Sequence, residues 1–138
     1  MLNNSTLAVK ILTPSGSVFN DESTMILLPA VTGEVGVLPG HVPMIFRLDP
    51  GIIKVYQNEK LHYETFVFGG FAKIDQDEVY ILVDKVSKVN ELDFEEANRD
   101  LVDIEKKLLD NTNIKLFDIL ESKIRTLRKI LELSKSRH

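Results

Sequence analysis

The sequence of 138 residues contains no cysteine and no tryptophan, and it has no excess of positive charge. Without cysteine, the chain can form neither a disulfide framework nor a zinc site with thiolate ligands. Its formal net charge of -4 argues against binding to nucleic acid, because proteins that bind the phosphate backbone carry a clear basic excess. No run of about 18 apolar residues is present, and the start MLNNSTLAVK lacks the pattern of a signal peptide. We therefore expect a cytoplasmic or peripheral protein.

Hydrophobic residues make up 43% of the sequence and charged residues 28%, which is typical of a folded globular chain. This length allows one core, or a core of about 85 to 90 residues with an appended segment. The pattern of apolar residues favours the second arrangement, because its period changes near residue 90.

Residues 7–89 contain short runs of alternating apolar residues, which predict β-strands. The runs are LAVKIL, TMILLP, GIIKVY, HYETFVF and EVYILVD, and turn sequences such as TPSG, FNDES, LDPG, QNEK, FGG and DQDE separate them. No segment of helix length intervenes. Because a parallel sheet needs long crossovers, we predict an antiparallel β-sandwich or flattened barrel over residues 1–89.

Residues 90–138 have the apolar spacing of two helices joined by DNTN. The first stripe is Phe94, Ala97, Leu101, Ile104 and Leu108, and the second is Phe117, Leu120, Ile124, Leu127 and Leu131. Asp93 is a predicted N-cap, with Glu96 completing a capping box. The predicted fold class is therefore α+β, with an antiparallel helical hairpin after the sandwich.

The two predicted helices differ in charge. Residues 91–110 contain eight acidic and three basic residues, whereas residues 123–138 contain six basic residues and one acidic residue. In an antiparallel hairpin these ends lie side by side, so one interpretation is a pair of solvated faces with modest ion pairing. The other interpretation is that the basic end binds an acidic surface of another protein.

The sequence offers no pattern for catalysis or for metal binding. The three histidines are far apart, and DQDE lacks the glycine and distal glutamate of a calcium loop. GEVGVLPG lacks the lysine and hydroxyl residue of a phosphate-binding loop. We therefore predict no catalytic residue, no metal and no cofactor, and a role in docking to other proteins.

One stretch, GEVGVLPGHVP at residues 33–43, holds three glycines and two prolines around one glutamate and one histidine. It resembles the G-E-x-G-[VI]-[LY]-P-G-H-x-P motif of the epsilon subunit of the bacterial rotary ATP synthase. LAVKILTPSGSVF, LDPGIIKV and FVFGGFAKI resemble other parts of that family in the same order, so the resemblance covers nearly the whole chain.

The resemblance implies a noncatalytic subunit of the central stalk that couples proton-driven rotation to ATP synthesis. It implies that the sandwich binds the gamma subunit and rests on the ring of c subunits, at the cytoplasmic face of the inner membrane, with contact to the membrane only through the complex. Glu34 and His41 match positions that contact the ring, on a stiff exposed loop. The hairpin is expected to restrain ATP hydrolysis, with Arg125, Arg128 and Lys129 contacting the catalytic beta subunit.

Some members of the family bind ATP through [IL]-D-x-x-R-A, and here the matching residues are LDFEEA. Leu92, Asp93 and Ala97 fit that motif, but Glu96 replaces the arginine. Because a negative charge replaces a phosphate partner, we expect ATP binding to be weak or absent.

Two other functions are compatible with a sandwich followed by a hairpin. One is a structural adaptor or chaperone-like module that grips its clients with the hairpin. The other is a small enzyme or a sugar-binding domain, but the absence of tryptophan and the presence of only three tyrosines leave few rings on which a sugar could stack.

Overall fold

A computed structural model describes residues 6–110 and 114–136 of the chain. The described residues up to Asn90 form one compact unit, and those from Glu91 onward form a second. The first unit is built from β-strands and the second from two α-helices, which confirms the predicted fold class.

Ten strands follow one another along the first unit. They are β1 (Leu7–Thr13), β2 (Gly16–Ser23), β3 (Met25–Ala30), β4 (Gly33–Val37), β5 (His41–Leu48), β6 (Gly51–Gln57), β7 (Lys60–Val67), β8 (Gly70–Gln76), β9 (Glu78–Leu82) and β10 (Val86–Ser87). The alternation that predicted strands is visible in β1, where Leu7, Val9 and Ile11 are fully buried and the residues between them are exposed.

One predicted turn is part of a strand. FNDES forms the last five residues of β2, a strand whose residues are exposed except the half-buried Phe19 and the buried Ser23. β2 is the last strand of the sheet, and it pairs only with β1 in the strand order. Polar residues are tolerated at such an edge because few of their side chains are buried, so the apolar alternation that marks an inner strand is missing.

The strand order is β10-β7-β6-β3-β5-β8-β9-β1-β2, and β4 pairs with β3. Strand pairing is antiparallel throughout the described sheet except between β1 and β9, which are parallel. The prediction of an entirely antiparallel sheet was therefore wrong for this pair. A crossover helix is unnecessary here, because seven strands lie between β1 and β9 along the chain and bring them together.

The sheet folds over at β3, which pairs with β6 and, through Ala30, with Leu48 at the end of β5. Between β5 and β6 the chain passes close to β3, and a Cβ atom on Gly51 would lie 2.7 Å from Cβ of Pro29. Only glycine fits there without a shift of the backbone. The apolar core is drawn from both halves of the folded sheet, including Ile11, Ile26, Ile53, Ile74 and Ile81.

The edge strand β2 packs against the β6–β7 hairpin, which closes the sandwich on that side. The ring of Phe19 stacks on the ring of Tyr63, with centroids 4.5 Å apart. The Nε2 amide of Gln57 also donates a hydrogen bond to the carbonyl oxygen of Glu22 at 2.7 Å. These contacts connect β2, at one end of the strand order, with β6 and β7 near the other end, so the folded sheet encloses one core.

The second unit is a hairpin of helices α1 (Phe94–Asp110) and α2 (Ile114–Ser136). The predicted N-cap is confirmed, because the backbone N–H of Glu96 donates to Oδ1 of Asp93 at 3.0 Å. Ala97, Leu120 and Ile124 of the predicted stripes are buried. Ile130 is also buried although it lies off the predicted stripe. Asn111 to Asn113 and the side chain of Phe117 lie outside the described residues.

Candidate functional site

The predicted stiff loop at residues 33–43 is two strands joined by a short turn. Gly33–Val37 is β4, which pairs with β3, and His41–Leu48 is β5, which pairs with β8. The loop interpretation was therefore wrong for most of this stretch. Its glycines and prolines concealed the strand signal, although Val35 and Val37 both contribute to the core.

Residues 38–41 form a type II β-turn. The backbone N–H of His41 donates to the carbonyl oxygen of Leu38 at 3.2 Å, with Pro39 in the second position. Gly40 occupies the third position with a φ of 81°, as a type II turn requires. Proline fixes one backbone angle and glycine allows the other, so the sequence LPGH favours this turn locally.

A second hydrogen bond fixes the turn to another part of the sheet. The N–H of Gly40 donates to Oδ1 of Asp77 at 2.9 Å. Asp77 lies in the turn between β8 and β9, where DQDE was correctly predicted to form a hairpin turn. In turn, the carbonyl oxygen of Asp77 accepts a hydrogen bond from the N–H of Ala8 at 2.7 Å. Sequence reasoning missed this contact, because no local signal relates Gly40 to Asp77.

The start of β5 is irregular and exposes an apolar surface. His41 pairs with Gln76 and Met44 pairs with Ile74, so one extra residue bulges between them. Pro43 lies in this bulge, where its missing N–H costs no regular ladder hydrogen bond. Leu38 is 57% exposed and Val42 is 73% exposed. The turn therefore presents aliphatic side chains to the solvent.

The two predicted ring-contact residues lie on different strands. Glu34 is exposed on β4 opposite Pro29, and it points away from the core because Val35 and Val37 point inward. His41 begins β5, and its Nδ1–H donates to the carbonyl oxygen of Val42 at 2.8 Å. This bond places the proton on Nδ1, because a carbonyl oxygen only accepts.

The outer face of β5, β8 and β9 carries exposed apolar side chains that the sequence analysis did not single out. Ile45 is 69% exposed and lies opposite Lys73, while Phe71 and Leu82 face each other across β8 and β9. Phe71 and Leu82 also line an open cavity of about 400 Å³, together with Leu12 and Pro14 among others. Exposed apolar groups of this kind are typical of a protein interface.

On the hairpin, the three predicted beta-contact residues have different surroundings. Nη2 of Arg128 lies 4.0 Å from Oε1 of Glu105 on α1. Nζ of Lys129 lies 3.9 Å from Oε2 of Glu132 on its own helix. Arg125 is exposed. Ion pairs between exposed groups contribute only about 0 to 1 kcal/mol each, so a partner can replace them.

The residues that fit the nucleotide motif have structural roles in the hairpin. Asp93 caps α1 through its side chain, and its carbonyl oxygen accepts a hydrogen bond from the N–H of Ala97 at 3.0 Å. Ala97 is buried and Leu92 is half-buried. Capping and packing therefore account for all three residues without a ligand.

Neither α1 nor α2, as far as they are described, is long and apolar enough to cross a membrane. Within residues 6–110 and 114–136, no three or more histidine, aspartate or glutamate side chains are grouped so that they could hold a metal ion.

Comparison with known proteins identifies relatives over nearly the full length. Residues 6–89 match the family model described as ATP synthase, Delta/Epsilon chain, beta-sandwich domain. An ATP synthase epsilon chain of Granulibacter bethesdensis is 33% identical over 130 residues, which cover 93% of this chain and 96% of that protein. The epsilon chain of Prochlorococcus marinus (strain NATL1A) is 36% identical over 107 residues, covering 77% and 78% of the two chains.

Solved structures show the same fold. A chain in the cryo-EM structure of the Euglena gracilis mitochondrial ATP synthase, OSCP/F1/c-ring in rotational state 1, superposes with a TM-score of 0.83 at 20% identity, covering 100% of this chain and 85% of that one. A chain in the central stalk and c-ring structure of the Tetrahymena thermophila mitochondrial ATP synthase gives a TM-score of 0.60 at 14% identity, covering 95% and 99%.

Proposed function

The chain belongs to the family of ATP synthase epsilon chains, and on that premise we propose that it is a noncatalytic subunit that couples rotation of the membrane ring to ATP synthesis. The alternative of an adaptor or chaperone-like module is not favoured, because the similarity to epsilon chains extends over 93% of the chain. The complex to which it belongs is the enzyme, and this subunit supplies contacts rather than reacting groups.

The β4–β5 turn is the proposed contact with the ring of c subunits. The observation that carries this proposal is the combination of an exposed aliphatic tip with a backbone held by two hydrogen bonds, from His41 to Leu38 and from Gly40 to Asp77. A contact that transmits torque must not yield under load, and a turn of defined geometry meets that requirement. Glu34 and His41 flank this turn, on β4 and β5, as the residues proposed to face the ring.

The gamma subunit is the proposed partner of the rest of the sandwich. The exposed apolar side chains on β5, β8 and β9 support this assignment, since a protein interface commonly buries such groups at its centre. With gamma and the ring as partners, the subunit is located at the cytoplasmic face of the inner membrane and touches the membrane only through the complex.

The helical hairpin is the proposed regulatory part. Arg125, Arg128 and Lys129 bind an acidic segment of the catalytic beta subunit and thereby restrain ATP hydrolysis. This role is supported by the exposure of Arg125 and Arg128 and by the weak, replaceable pairing of Arg128 with Glu105. ATP binding at Leu92, Asp93 and Ala97 is weak or absent, because Glu96 adds a negative charge and Asp93 is engaged as a cap.

The proposal is tested by comparing the assembled ATP synthase with and without this chain in sealed membrane vesicles. Removal of the chain is expected to lower proton-driven ATP synthesis and to raise uncoupled hydrolysis. Adding the purified chain back restores coupling, whereas an equal amount of heat-denatured chain does not. Equal rates of synthesis and hydrolysis in the two preparations would refute a coupling role.

A further inference from the structure

We propose that Asp77 is a positioning residue that locks the β4–β5 turn in its type II form for contact with a partner. The inference rests on the proposed function of that turn, but its structural part stands on geometry alone. The N–H of Gly40 donates to Oδ1 of Asp77 at 2.9 Å, across a separation of 37 residues in the sequence.

The hydrogen bond acts on the peptide group that defines the turn type. Type I and type II turns differ by a flip of the central peptide, which here joins Pro39 to Gly40. The hydrogen bond from His41 to Leu38 is compatible with both types, so it does not fix that peptide. The N–H of Gly40 belongs to the central peptide, and it reaches Asp77 in the observed orientation. A carboxylate acceptor makes this hydrogen bond stronger than a neutral one would be.

Asp77 is itself firmly held. Its carbonyl oxygen accepts a hydrogen bond from the N–H of Ala8 on β1 at 2.7 Å, and the residues on either side of its turn, Asp75 and Glu78, are cross-strand partners. Gln76 has a φ of 56°, a left-handed conformation that persists in a side-chain-bearing residue only when its surroundings enforce it. The carboxylate of Asp77 is therefore attached to a part of the sheet whose backbone position is fixed.

Loss of the Asp77 carboxylate would remove the hydrogen bond that orients the Pro39–Gly40 peptide. The central peptide would then be free to exchange between its two orientations, and the side chain of Leu38 and the start of β5 would move with it. The remaining hydrogen bond from His41 to Leu38 keeps the turn closed, and the pairing of His41 with Gln76 keeps β5 attached to β8. The expected defect is therefore a loose turn on a folded domain, rather than an unfolded domain.

The first test measures hydrogen exchange of the Gly40 amide by NMR in the full chain. Asp77→Ala should raise its exchange rate about tenfold, as expected for one lost hydrogen bond. Asp77→Asn keeps an oxygen acceptor and should retain most of the protection. Asp75→Ala removes an exposed carboxylate from the same β8–β9 hairpin and serves as the matched control. In this variant the Gly40 amide should exchange at the wild-type rate. If Asp77→Ala fails to fold, Asp77→Ser, whose shorter side chain cannot reach Gly40, takes its place.

The second test places the same variants in the assembled ATP synthase and measures proton pumping per ATP hydrolysed. Asp77→Ala should lower this ratio, and Asp77→Asn should restore it. Unchanged exchange at Gly40 in Asp77→Ala overturns the lock. Faster exchange with an unchanged pumping ratio overturns its role in positioning for a partner. If removal of the whole chain leaves the ratio unchanged, the proposed function fails, and the exchange experiment still decides the lock.

Discussion

The carboxylate of Asp21 on β2 lies 3.2 Å from Nε2 of His62 on β7. This pair joins the edge strand β2 to β7, which lies near the opposite end of the strand order. Because a carboxylate only accepts, the imidazole donates through Nε2–H. His62 is the extra residue of a β-bulge, since Val55 pairs with Tyr63 and Tyr56 with Leu61. A bulge redirects a side chain, and here it directs the imidazole to β2.

Asp21 should make stability depend on pH in the acidic range. The backbone hydrogen bond from Glu22 and then the hydrogen bond from His62 lower the pKa of Asp21 below its ordinary value of 3.8. A lowered carboxyl pKa stabilises the folded state above the ordinary value, and this contribution is lost as pH falls through the lowered pKa. At pH 6 we expect the urea midpoint of unfolding to be higher for wild type than for Asp21→Asn. The difference between the two midpoints should shrink below pH about 4. A constant difference between pH 6 and pH 2 would contradict this.

The stacked pair of Phe19 and Tyr63 should contribute to stability more than its edge position suggests. Phe19→Ala removes the ring that packs on Tyr63 and on the core, with an expected loss of about 2 to 3 kcal/mol in the free energy of unfolding. The neighbouring Val18→Ala is the control, since Val18 is exposed and should cost less than about 0.5 kcal/mol. Urea denaturation followed by circular dichroism measures both. Equal losses would show that the stack does not hold β2 in place.

Five strands with an inward apolar face, β1, β3, β6, β7 and β9, were predicted from the sequence, whereas β2 and β4 were not. Leu7, Val9 and Ile11 alternate because one face of β1 meets the core. β2 lacks this pattern because both of its faces are largely exposed. β4 is only five residues long, and glycines at its first and fourth positions break the alternation. The local pattern of apolar residues reflects burial over several residues, so a strand that is mostly exposed, such as β2, or short, such as β4, leaves little signal.

Contacts between residues that are far apart in the sequence could not be predicted either. The sequence LPGH favours a type II turn, but the hydrogen bond from Gly40 to Asp77 depends on β5 lying beside β8. The parallel pairing of β1 with β9 likewise depends on the path of the strands between them. For the helices, capping by Asp93 was predictable because its signal spans four residues. The burial of Ile130, which lies off the predicted stripe, was not predictable.

The first unit should fold without the hairpin. A chain ending at Asn90 retains the whole sheet and its core, since the division between the two compact units falls after that residue. We expect a soluble product with one cooperative urea transition, and an ATP synthase assembled with it that still makes ATP. The control is a chain ending at Gln76, which lacks β9 and should not fold. An insoluble product from the longer truncation would show that the units are interdependent.

Cysteine cross-linking should detect the proposed contact with the ring. Glu34→Cys and His41→Cys introduce thiols into a chain that has none, so any product is specific to the new site. We expect both to cross-link to a cysteine in the polar loop of the c subunit. Glu59→Cys, in the exposed β6–β7 turn, provides a comparison site on the same domain. Failure at positions 34 and 41 with several linker lengths would argue against this face as the contact.

Regulation by the hairpin should depend on the basic residues of α2. Replacing Arg125, Arg128 and Lys129 together by alanine should raise ATP hydrolysis in the assembled enzyme while leaving binding to gamma intact. Each exposed pair contributes only about 0 to 1 kcal/mol, but several pairs exchanged together shift a two-state equilibrium by a few kcal/mol. Inhibition by wild type should weaken as salt rises, because screening reduces the attraction to an acidic partner.

The matched control for the triple variant removes equal charge from the other helix. Arg99, Lys106 and Lys107 are exposed on α1, and their replacement by alanine should leave inhibition in place. Since both triple variants lose three positive charges, a difference between them assigns the effect to the location of the charges rather than to their number. If the α2 variant hydrolyses ATP no faster than wild type, and truncation after Asn90 has no effect either, the hairpin is a structural element and not an inhibitor.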